Sequence, residues 1–255
     1  MKRNYQKIVF PAIVFAAFLF FAFQTVQAFG IVAFHADFFK KKGTVVIDAG
    51  HGGEDGGAVG VNGVMEKDIN LAIALNLQKY LQENNFEVIM IRDGDYAVGD
   101  QSLGSISERK RSDTKNRLRT VEEMGKCILI SIHQNYFTEG KYDGAQVFYS
   151  PNDTESSSLA EAIRQNITSS LQPENKRENK AAEKNIYLLY HTTVPAVLVE
   201  CGFLSNPAEA ERLCDEKYQK DMAAAIYNGL IDYLSAKTDK TPSETSSVPE
   251  RQISP

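Results

Sequence analysis

Residues 44–57 read TVVIDAGHGGEDGG, and residues 66–84 read EKDINLAIALNLQKYLQEN. The first stretch opens on an apolar, β-branched run, Thr44–Asp48, which predicts a strand buried on both faces. It then dissolves into glycines. In the second, Ile69, Ala72, Ile73, Leu77, Tyr80 and Leu81 recur on one helical face, and Asn84-Asn85 ends the pattern. Further strand-like runs lie at Phe86–Ile91, Cys127–Ile132, Ala145–Tyr149, Ile186–Leu189 and Ala196–Val199. Leu159–Leu171 reads as a helix, and Asn206-Pro207 with Glu209 signals the start of another. A last helix carries Met222, Ala225, Ile226, Leu230 and Tyr233 on its buried side, and Glu108–Gly125, charged and only weakly periodic, reads as a further helix. This alternation predicts an α/β single domain: a mainly parallel (mixed) twisted sheet of about six strands with helices on both faces.

Four residues are singled out by where such a fold puts them. His51 follows the first strand through Ala49-Gly50, His133 ends the run Cys127–Ile132, and Glu200 ends the run Ala196–Val199. In a parallel sheet all three lie at the carboxyl edge, where ligand crevices form. Glu66 opens a helix antiparallel to those strands, so its first turn reaches the same edge. Singly, each has an ordinary reading, a glutamate favourable with the helix dipole or a hydrogen-bonded strand-end histidine. Together they match catalytic zinc, which takes three His or carboxylate ligands and leaves one position for water, with a further carboxylate free to move a proton. The glycine-rich turn also suggests phosphate binding, but GHGGEDGG lacks both the GxGxxG spacing and a Gly-Lys-Ser/Thr.

The chain of 255 residues has 28 basic and 33 acidic side chains, a net charge of −5 that argues against a nucleic-acid partner. The balance is uneven. Residues 1–28 carry Lys2, Arg3 and Lys7 and no acid, then the apolar run Ile8–Phe23 and the small-residue exit Val26-Gln27-Ala28. They are expected to be a signal peptide or an N-terminal membrane anchor, the only membrane contact, so that the protein is exported and either secreted or anchored. Residues 29–42, with Lys40, Lys41 and Lys42, form a basic linker, 43–235 the catalytic domain, and the Ser/Thr/Pro/Glu-rich 236–255 a disordered tail. Cys127, Cys201 and Cys214 form no CxxC pair, and a Cys201–Cys214 bridge stays compatible with the sequence. His191 reads as a surface residue and His35 as part of the export-flanking region.

VVIDAGHGGEDGGAVG, EKDINLA, ISIHQN and PAVLVECGFLSNPAEA, in that order, closely resemble blocks of the zinc-dependent N-acetylmuramoyl-L-alanine amidases, the type 3 amidases of bacterial cell walls. The resemblance runs from about Thr44 to Tyr233. It implies that His51, Glu66 and His133 bind one Zn²⁺ per chain and that Glu200 is the catalytic acid/base. The implied reaction is hydrolysis of the amide between N-acetylmuramic acid and L-alanine in peptidoglycan. Gln134 replaces the small residue common in the third block, and Val121-Glu122 replaces an upstream Ala-Asn, departures that leave the metal set intact.

SERKR, GAQVFY, Arg177 with Lys180, and ECGFLSNPAEA resemble the germination-specific members found in endospore formers. That narrower likeness implies action on spore cortex in the forespore or spore envelope, with muramic-δ-lactam formed afterwards by a deacetylase. It also makes Asn135, Arg177 and Lys180 substrate-contact candidates and an accessory protein reasonable. Two rivals keep the fold: a peptidoglycan-binding protein without activity, and a zinc peptidase cutting within the stem peptide.

Overall fold

The structure, a computed structural model, describes residues 41–239. The expected signal segment, most of the linker, His35 and most of the tail lie outside them. Six strands form one sheet in the order β2-β1-β3-β6-β4-β5. They are β1 (Thr44–Ala49), β2 (Glu87–Met90), β3 (Ile128–Asn135), β4 (Gln146–Tyr149), β5 (Lys180–Ala181) and β6 (Ala196–Phe203). The first three and β6 run parallel, whereas β4 pairs antiparallel with β6, and β5 parallel with β4. The sheet is therefore mixed, with its parallel part forming the platform of the site.

Helix α1 (Glu66–Glu83) buries Ile69, Ile73, Leu77 and Leu81. These sit on the sheet face that presents Val45, Ile47, Ile130, Ile132, Val197 and Val199. Helices α3 (Ser156–Ser170) and α6 (Glu216–Asp239) complete that layer, with Leu159, Ile163, Ile226 and Leu230 in the same core. Burying each such side chain contributes about 1.5–3 kcal/mol. The opposite face, with Val46, Leu129, Ala196 and Leu198, is covered by α2 (Ile106–Met124) and α4 (Tyr187–His191). Helix α5 (Pro207–Cys214) starts on Asn206, whose side chain accepts from the backbone N–H groups of Ala208 and Glu209, with Pro207 at the first position.

Two expectations change, the strand at Ile186–Leu189 and the start of the tail. Ile186–Leu189 is not a strand: Tyr187–His191 is a short helix that buries Leu188 and Leu189, and the sheet edge is taken by Lys180–Ala181. A four-residue apolar run carries no period that separates the two states. The helix expected over the weakly periodic Glu108–Gly125 does form, at Ile106–Met124, started by a capping box in which Ser105 and Glu108 satisfy each other's backbone donors. Its buried residues are Arg117, Leu118 and Val121, so a charged side chain occupies part of the face where apolar residues would recur. Helix α6 continues to Asp239, four residues into the stretch assigned to the tail. All three cysteines are free, Cys127 and Cys201 buried and Cys214 exposed, so the Cys201–Cys214 bridge is not formed. His191 is exposed. Among the described residues no helix is long and apolar enough to cross a membrane.

Candidate metal and catalytic site

The turn after β1 carries His51 in a left-handed conformation, φ 62°, that a non-glycine residue adopts only when its surroundings hold it there. Two buried arginines supply the hold. Arg92 donates from Nε to the Ala49 carbonyl at 2.7 Å and from Nη2 to Gly50 and Lys67 carbonyls at 2.9 and 2.8 Å. Arg117 donates to the carbonyls of Ala49 at 2.9 Å and His51 at 2.7 Å. Its charge is met by Asp48 and Asp113, each at 2.5 Å. Burial alone would raise the Asp48 carboxyl, but the Arg117 charge and a bond from Ser131 hold it below its ordinary value. Gly50 is required for space, since a Cβ there would fall on the His133 ring.

Glu66 enters from the first turn of α1, and its carboxylate lies between the two histidines. Oε2 is 3.2 Å from His51 Nε2, and Oε1 is 3.0 Å from His133 Nδ1. Backbone N–H groups of Ala58 and Gln134 donate to the same carboxylate at 2.9 and 3.0 Å, and Asn70 Nδ2 at 3.2 Å. Burial works against its charge, yet the His133 and His51 bonds hold its carboxyl far below the usual range. Likewise burial opposes protonation of His51, but Asp55, at 2.9 Å from Nδ1, and Glu66 raise it to about 9. Donor atoms of His51, Glu66 and His133 all lie within 4.8 Å of one another, a set able to hold a metal ion.

Two imidazoles and one carboxylate are a donor set of catalytic zinc. The surroundings fit such an ion, because Asp55 orients the His51 ring from its far nitrogen and Asn70 and Gln134 fix the glutamate from behind.

Glu200 lies beside His133 in the β3–β6 pairing. The residue is partly exposed, but its Oε2 is buried with no hydrogen-bond partner. Burial, opposed by His133 and His51 and assisted by Glu66, raises its carboxyl from 4.5 to about 7. A carboxyl with that value can both take and give a proton near neutrality.

The three substrate-contact candidates are spread out. Asn135 ends β3 opposite Phe203, and its side chain accepts from the Tyr136 N–H. Arg177 reaches towards Gln146, the residue paired with Glu200 across β4 and β6. Lys180 is exposed on the edge strand β5, opposite Phe148, which pairs with Leu198 two residues back from Glu200. Arg92, Arg117, Asp55 and Asn70 were not anticipated from the sequence. Only Asn70 left a signal there, four residues after Glu66 on the same helical face.

A model of the N-acetylmuramoyl-L-alanine amidase family matches residues 45–232. The germination-specific N-acetylmuramoyl-L-alanine amidase of Bacillus subtilis (strain 168) is 37% identical over 195 residues, covering 76% of this chain and 81% of that protein. The solved CwlD amidase from Clostridioides difficile, in complex with the GerS lipoprotein, is 38% identical over 76% of this chain and 100% of its own, with a TM-score of 0.74. AmiC2 of Nostoc punctiforme, another N-acetylmuramoyl-L-alanine amidase, is 29% identical over 77% of this chain and 99% of its own, with a TM-score of 0.65. The chain thus belongs to the N-acetylmuramoyl-L-alanine amidase family and is an enzyme of that activity.

Proposed function

We propose that this amidase is exported, depends on zinc and removes peptide stems from spore-cortex peptidoglycan, with His51, Glu66 and His133 holding the metal and Glu200 carrying the proton. The observation that carries the reading is one juxtaposition: three ligand-type donor atoms within 4.8 Å, and beside them a carboxylate oxygen that is buried and unpartnered. Zinc, when bound, supplies the Lewis acidity that polarises a carbonyl and brings the pKa of water to about 7.

The chain's own residues do the rest. Glu200 takes a proton from the attacking water, whose oxygen bonds to the carbonyl carbon of the lactyl group. As the carbon–nitrogen bond breaks, Glu200 returns that proton to the departing nitrogen of L-alanine. A carboxyl near 7 is matched to both halves of this transfer. Asp55 keeps the His51 ring oriented through Nδ1, and Arg92 and Arg117 keep the backbone beneath it in place.

The cortex assignment rests on similarity to a germination-specific amidase, and export rests on the basic and apolar character of residues 1–28. An accessory protein is part of the proposal, supported by the C. difficile relative's complex with a lipoprotein. The test is to incubate the purified chain with spore and vegetative peptidoglycan, with and without a chelator. New amino termini on L-alanine, released preferentially from cortex and abolished by chelation, are expected. A new terminus elsewhere in the stem would replace the amidase reading with that of a stem peptidase.

A further inference from the structure

Strand β6 carries an irregularity beside the site. Its pairing with β3 runs His133 with Glu200 and then Asn135 with Phe203, so two residues on β3 face three on β6. Simple alternation would turn Phe203 to the side of Cys201. The extra residue turns it instead to the side of Glu200, as bulges next to active sites do. Phe203 is fully buried there beneath Phe137 and Tyr142, whose rings lie 5.6 and 6.1 Å from its own.

The Arg177 guanidinium lies over the Phe203 ring, 4.5 Å from its centre. Arg177 donates from Nε to the Asp143 carbonyl at 2.8 Å and from Nη1 to Gln146 Oε1 at 3.4 Å. The Gln146 amide is oriented for this, because its Nε2 donates to the Glu178 carbonyl. The Arg177 backbone is fixed as well, its N–H donating to Asn175 Oδ1 at 3.0 Å. Gln146 pairs directly with Glu200. The guanidinium is thus held by a ring face, a carbonyl and an amide, against the residue that pairs with Glu200 across β4 and β6.

No carboxylate of the described residues pairs with it, whereas Arg109, Arg164 and Arg212 each pair with a glutamate. A half-buried, pre-positioned guanidinium lacking its anion is suited to bidentate capture of one. In the reaction of this family the part that departs as an amine is a peptide bearing free carboxylates. We propose that Arg177, seated on Phe203, binds a stem-peptide carboxylate on the leaving-amine side of the scissile bond, and so selects stems whose second residue keeps that carboxylate free. The inference rests on the amidase reading and adds the substrate feature that the site selects.

The experiment uses the full chain loaded with zinc and two sets of solubilised glycan strands. Their stems carry either D-isoglutamate or D-isoglutamine after L-alanine, so they differ by one carboxylate. The readout is the ratio of kcat/KM for the two sets. The native protein should favour the free carboxylate by on the order of tenfold, as one charge-assisted bond allows. Arg177→Gln should bring the ratio towards one, and Arg177→Lys should restore part of it. Equal treatment of both sets by the native protein would overturn the proposal. So would an Arg177→Gln variant that loses activity on both in the same proportion, since a merely structural role would do that. Native protein that cleaves neither set and frees no L-alanine amino terminus from whole peptidoglycan would refute the amidase reading itself.

Discussion

Replacing Glu200, the proposed proton carrier, should make the metal-free protein more stable, and only above acidic pH. Glu200 has an ordinary carboxyl value of 4.5 in the unfolded chain and about 7 in the fold, raised chiefly by burial. Below pH 4.5 the group is protonated in both states and contributes no pH dependence. Between 4.5 and 7 the unfolded chain gives up its proton first, so stability falls as pH rises, and above 7 the loss is complete. At 1.36 kcal/mol per pH unit the penalty is at most about 3 kcal/mol. That is a sizeable part of the roughly 5–15 kcal/mol that holds a domain together. Glu200→Gln cannot ionise and escapes it. Any fixed difference between amide and acid is the same at every pH and cancels between pH 4 and pH 8. Urea unfolding of both proteins with chelator present, from pH 4 to pH 8, measures the difference. A stability difference that grows by about 2–3 kcal/mol in favour of Glu200→Gln across this range is expected. A flat difference would refute the claim that Glu200 is held protonated by its surroundings.

The remaining predictions concern the frame around the site. Arg117→Met leaves Asp48 buried without its cation and takes from the His51 carbonyl the guanidinium that donates to it, and should cost about 3–5 kcal/mol in urea unfolding. Adding Asp48→Asn should recover part of that cost, and a simple sum of the two single effects would contradict the pairing. Because His51 is raised to about 9 and must lose its proton to bind a metal, apparent zinc affinity by calorimetry should climb with pH and level off near 9. Asp55→Asn should move that plateau to lower pH, and a profile unchanged by the substitution would separate Asp55 from the His51 titration. Ser105→Ala removes the capping box of α2 and should cost about 1 kcal/mol in thermal or urea unfolding, with no change in metal content.

What the sequence discloses here depends on how local the determining physics is. His51, Glu66, His133 and Glu200 are legible because each sits at an element end whose place follows from strand–helix alternation. Helix α1 is legible because its apolar residues keep one face. Helix α2 is blurred because Arg117 occupies its buried face, and that burial is tolerable only through Asp48 on β1 and Asp113. The short α4 is misread because Leu188 and Leu189 must be buried in either state. Arg92 shows nothing in its local pattern, since its partners are backbone carbonyls from three separate segments. The bulge that aims Phe203 is a property of how two strands pair.

The central claim is the division of labour between three ligands and one proton carrier, and the direct measurement is zinc content beside amide hydrolysis in the same preparations. Glu200→Gln should keep one zinc per chain while losing about 10²–10⁴-fold in turnover, and His51→Ala should lose both metal and activity. Turnover surviving in Glu200→Gln, or full zinc occupancy in His51→Ala, would contradict the assignment.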